Sequence, residues 1–97
     1  MNFQTILLSF KNQSTGTDAF KDLKNACEQS LKESQDTKEK AAVYLIYGFA
    51  RSYVILYEDE AVTTEFAHTS KTQLITYMES LNDALLSQDD REVVPHV

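Results

Sequence analysis

From Met1 to Val94 the chain contains no proline, and Gly16 and Gly48 are its only glycines. Proline lacks an amide donor and fixes φ, while glycine loses the most backbone entropy on ordering, so these are the residues that stop helices. Their scarcity constrains the fold more than any motif does. Long helices are expected, punctuated near Gly16 and by polar clusters. With 42% apolar and 25% charged residues, the chain is composed like a globular protein rather than a disordered one. Its 97 residues suffice for one hydrophobic core, hence one domain.

Apolar spacing divides the chain into four segments. Phe3, Ile6, Leu7 and Phe10 predict a short amphipathic helix over about residues 2 to 11. After a polar loop from Asn12, Thr17 is the expected N-cap of a second helix, with Asp18 in its first turn and Phe20, Leu23, Cys27 and Leu31 on one face to about Glu33. Asp36 followed by Glu39 resembles a capping box for a third helix over about Thr37 to Tyr57. That segment is apolar almost all round, as a helix is when it is buried at the centre of a bundle or lies partly in an interface. It is expected to be the central element. An unbroken helix from 37 to 87 would be about 75 Å long and could not fold back on itself, so a turn is expected near Asp59. Val62, Phe66, Leu74, Met78, Leu81 and Leu85 then continue at helical spacing to about Leu86. The expected fold is all-α, a compact antiparallel four-helix bundle over residues 1–87, with 88–97 as a flexible C-terminal tail.

Cys27 is the only cysteine, so neither an internal disulfide nor a cysteine metal cluster is available within one chain, and its spacing marks it as a core residue. No basic stretch precedes the apolar run near the N-terminus, so no secretory leader is expected, and no apolar run reaches the twenty or so residues of a membrane span. A cytoplasmic location is the expectation.

The net charge of −6 is unevenly spread. Residues 1–57 carry seven basic and six acidic side chains, whereas residues 58–97 carry nine acidic ones against Lys71 and Arg91. Such a surface repels phosphate backbones, so direct nucleic-acid binding is disfavoured and a basic protein is the expected partner. Tyr44, Tyr47, Tyr53 and Tyr57 share one segment, and four rings cannot all fit one core seam. Some should stand at the surface near Glu58 to Glu60, in the aromatic-and-charged composition of binding hot spots. The expected partner-binding residues are Tyr53, Tyr57, Glu58, Asp59, Glu60 and Glu65.

No phosphate loop, nucleophile elbow, paired-cysteine site or HExxH occurs, so no enzyme, metal or cofactor is expected. Two local patterns involve His68. Glu65-Phe-Ala-His68 places a carboxylate and an imidazole on one helix face, as a di-iron carboxylate site requires, but a second such pair is missing and only a symmetric dimer adding Glu33 or Glu39 could complete it. Ala67-His-Thr-Ser-Lys71 resembles the Ala-His-x-x-Lys core of histidine phosphotransfer domains, themselves four-helix bundles, which implies phosphorylation of His68. It departs from them at Thr72, where that family usually has glycine. In size, acidity and helical class the whole chain is similar to the bacterial immunity proteins that neutralise basic nuclease toxins, and Tyr44-Leu-Ile-Tyr47 is loosely reminiscent of the helix-borne recognition motif of colicin immunity proteins. That resemblance implies an inhibitor masking a cationic active site; a homo-oligomeric structural bundle and a phosphotransfer domain are the rival readings.

Overall fold

The computed structural model describes residues 2–93, with side chains described for residues 2–87. Four helices make up its regular structure, α1 Phe3–Lys11, α2 Thr17–Glu33, α3 Thr37–Tyr57 and α4 Thr64–Val93, and no strand occurs among the described residues. The all-α bundle expected from the breaker pattern is what forms.

Local chemistry explains each boundary. The Asn2 side chain accepts a hydrogen bond from the Thr5 amide at 2.8 Å, capping α1. Between α1 and α2 the backbone at Gly16 takes φ 118° and ψ −176°, a region in which a Cβ would be strained. Gly16 rather than Thr17 therefore occupies the N-cap of α2, and it forms no side-chain cap. At α3, Asp36 accepts from the amides of Lys38 and Glu39 at 2.9 and 3.2 Å. The reciprocal half of the expected capping box is rerouted through Ser34, whose hydroxyl accepts from the Asp36 amide at 3.3 Å and donates to the Glu39 carboxylate at 3.4 Å. Helix α3 ends where three consecutive carboxylates, Glu58 to Glu60, would oppose the negative end of its dipole. The chain turns there, as expected, and Thr63 starts α4 by accepting from the Phe66 amide at 3.0 Å.

The expected end of the last helix near Leu86 is corrected by the structure: α4 runs on to Val93. Residues 88–93 contain no breaker, and a helix runs on as long as its own backbone hydrogen bonds continue. The rest of the expected tail, residues 94–97, lies outside the described residues.

The core forms where α2 lies along α3, with α1 packed against both and α4 packed mainly on α1. Phe3, Ile6, Leu7 and Phe10 of α1 are all buried, against Phe20, Leu23 and Cys27 of α2. Phe20 stacks on Tyr53 at 3.8 Å between centroids, with Phe10 edge-on to Phe20 at 5.3 Å. On α3 the buried set is Ala42, Val43, Ile46, Ala50 and Tyr53, a single stripe. Helix α3 is therefore not the enclosed central element its composition suggests. Its contacts with α4 are sparse, and its outer face stays open.

Helix α4 docks through Ala67, Lys71, Leu74 and Met78, spaced four, three and four residues apart. Lys71 is the unexpected member, only 8% exposed. Its ammonium donates to the backbone carbonyls of Lys11, at 3.3 Å, and of Gln13, and lies 5.8 Å from the centre of the Phe10 ring. Carbonyls at a helix C-terminus have no partner inside the helix and carry the negative end of its dipole, so a cation threaded in from α4 satisfies both demands. Beside this latch the exposed pair Lys11–Glu79, at 2.8 Å, joins the same two helices.

Candidate functional site

The end of α3 and the start of α4 form an acidic corner around an aromatic cluster. Tyr57 is half-buried, with its ring 5.0 Å from Phe66 in an edge-on arrangement and 4.9 Å from Tyr53. Phe66 is 39% exposed. Tyr53, expected at the surface, is instead stacked on Phe20 within the core. Burial pushes its phenol above the usual tyrosine range, and its hydroxyl is buried without a hydrogen-bond partner among the described residues. The ring Tyr53 would have offered to a partner is supplied by Phe66, which the spacing along α4 assigns to the core face.

The carboxylates at this corner are not equivalent. Glu58 pairs with Lys21 of α2 at 3.1 Å, and this hydrogen bond and charge hold the Lys21 ammonium above its ordinary pKa. Asp59, Glu60 and Glu65 are exposed and form no ion pair among the described residues. Glu65 also lies in the first turn of α4, where the helix dipole favours a negative charge. Of the six residues expected to bind a partner, four face solvent at least in part with no ion-pair partner among the described residues: Tyr57, Asp59, Glu60 and Glu65. Glu58 is half neutralised, and Tyr53 belongs to the core.

A second surface has the opposite character. The outer face of α3 exposes Tyr44 (65%), Leu45 (48%), Phe49 (55%), Ile55 (63%) and Leu56 (61%), with Ala41, Gly48 and Ser52 between them. Where this face meets α4 the two helices splay. One cleft of about 230 Å³ opens among Phe49, Tyr53, Leu74 and Tyr77, with Ser70 and Gln73 at its polar side. Another of about 230 Å³ opens farther along, between Leu45 and Leu81 with Leu85. Phe49 and Tyr77 meet edge-on at 5.4 Å across the first.

The residues that suggested chemistry are dispersed. His68 and Glu65 are exposed, and no group of three or more His, Cys, Asp or Glu among the described residues is arranged to hold a metal ion. Lys71, which the phosphotransfer resemblance would set beside a phosphoryl group on His68, is committed to the end of α1. Cys27 is fully buried, and burial, with a contribution from the Glu28 charge, pushes its thiol up to about 12, so it is held protonated. No helix among the described residues is long and apolar enough to cross a membrane. In comparisons with known proteins, no family model, no curated protein and no solved structure matches this chain.

Proposed function

We propose that this protein is a non-catalytic binding module that captures a basic protein partner at the α3–α4 corner and acts as an inhibitor of the immunity-protein kind, covering a cationic cleft that otherwise holds nucleic acid. The observation that carries the reading is the Tyr57–Phe66 ring pair bordered by the unpaired carboxylates of Asp59, Glu60 and Glu65. Carboxylates at a rim accelerate encounter with a cationic surface and set its specificity, while aromatic rings shielded from water slow dissociation. Glu58, tied to Lys21, holds the corner against α2 rather than facing the partner.

The test is capture from the native lysate at low salt, with wild-type protein compared with the triple variant Asp59→Lys, Glu60→Lys, Glu65→Lys. A stoichiometric basic partner should elute from the wild type on a salt step and be lost from the variant. With that partner purified, its association rate should fall about 10- to 100-fold for the variant and lose most of its salt dependence. Phe66→Ala should chiefly speed dissociation. Equal capture by wild type and triple variant would overturn the assignment of the corner. A partner whose nucleic-acid cleavage is unaffected by a saturating amount of this protein would overturn the inhibitor reading.

A further inference from the structure

Between Ala41 and Leu56 the outer face of α3 is uncharged apart from the exposed Arg51 at its edge. At 100° per residue, the positions from Ala41 to Leu56 that face outward fall within an arc of about 140°. Residues 41, 45, 48, 52 and 55 follow one another at alternating steps of four and three, the spacing of a seam that packs on another helix. Its five large exposed side chains present roughly 600 Å², taking about 200 Å² for each when fully exposed. That is at the top of the range for an apolar patch on a monomer, and most of the ~800 Å² per partner of a standard interface.

Gly48 lies at the middle of this face, and a glycine inside a helix is about 1 kcal/mol less favourable than alanine. Nothing within this chain requires it: a Cβ built at Gly48 meets no atom within 4 Å. Close approach of another helix would account for the missing side chain.

We infer that the outer face of α3 is covered by the α3 of a second copy of this chain, packed antiparallel about a two-fold axis level with residue 50. In that register Gly48 lies opposite the partner's Ser52, leaving room for the backbones to approach. Leu45 lies level with the partner's Ile55, and Tyr44 with the partner's Leu56. At either end Lys40, in the first turn of α3, comes near the acidic turn Glu58 to Glu60 that follows the partner's α3; a parallel pairing would set the two acidic turns together. The contact is isologous and closes at two copies. It uses a different face from the corner assigned to the basic partner, Glu60 being the one residue near both.

Sedimentation equilibrium of the full chain from about 1 to 200 μM, with CD melting in parallel, tests this. Wild type should reach twice the chain mass within that range. Gly48→Leu meets nothing inside the monomer, so it should keep or raise Tm at the lowest concentrations while weakening association at least 30-fold. Lys40→Glu and Glu60→Lys should each weaken association several-fold, and the double variant should recover it. A wild type that stays monomeric at 200 μM, or a Gly48→Leu variant that associates as well as wild type, overturns the interface; failure of the charge swap to recover association overturns the antiparallel register. Partner capture by Gly48→Leu should be unchanged, which separates this result from any failure at the corner.

Discussion

Replacing Lys71 by methionine keeps the unbranched stem that packs beside Phe10 and removes only the ammonium. Three interactions go with it: charge-assisted hydrogen bonds to the Lys11 and Gln13 carbonyls, the position over the Phe10 ring, and the favourable charge at the C-terminus of α1. Hydrogen bonds to a charged group contribute about 1.5–3 kcal/mol each. A partly desolvated cation over a ring adds about 1 kcal/mol, and a cation at a helix C-terminus about 0.3–1 kcal/mol. Set against these is the relief of returning no ammonium to a site with 8% exposure, a desolvation penalty of several kcal/mol. The balance is a net loss of about 2–4 kcal/mol, because the two carbonyls remain in place and lose their donor. For a domain of this length, with a total stability of about 5–15 kcal/mol, that is a shift in Tm of roughly 10–25 °C. Urea unfolding followed by helical CD is the assay, and the midpoint should fall with little change in slope. Lys11→Met, which removes the exposed pair with Glu79 and a solvated charge in the last turn of α1, is the control and should change stability by less than about 1 kcal/mol. A Lys71→Met loss below about 0.5 kcal/mol, or one no larger than the control, would refute the view that this lysine latches α4 to the end of α1.

Two further outcomes follow from buried polar atoms. Tyr53→Phe removes a buried hydroxyl that has no partner among the described residues while keeping the ring on Phe20, so urea unfolding should show stability unchanged or raised by about 1 kcal/mol; a loss of that size would show that the hydroxyl is satisfied. Cys27, held protonated to about 12, should resist thiol reagents at pH 8 in the folded protein and react only at the rate of global unfolding. Because the unfolded thiol ionises near 8.5 while the folded one does not, stability should decline from about pH 8.5 upward toward 12, by at most about 1.4 kcal/mol per pH unit, and Cys27→Ala should remove that component. Labelling of the native thiol as fast as that of a free peptide would contradict its burial.

The sequence alone determined where the first three helices start and stop, because those signals are local. A chain with no interior proline has few alternatives to helix, Gly16 supplies a backbone angle no other residue takes easily, and Asp36 caps the next helix within its own first turn. The bounds of α2 and α3 follow from such short-range chemistry, and so does the turn at the three carboxylates after Tyr57. The buried stripe of α1 was equally legible, since Phe3, Ile6, Leu7 and Phe10 fall on one side, with Leu8 the one apolar residue left outside.

Only the tertiary structure decided which side of α3 faces inward. Where both sides of a helix are apolar, periodicity cannot choose between them, so Tyr53 entered the core while Tyr44, on the far side of the same helix, stayed exposed. The signal that would have placed Tyr53 was its register with Ala50 and Ile46, one and two turns back, which helical spacing carries once the inner face is known. Phe66 and Lys71 were inverted for a related reason: apolarity assigns the phenylalanine to the core and charge assigns the lysine to solvent. The lysine is buried because the open end of α1 arrives beside it, an encounter between residues about 60 positions apart that no local pattern encodes.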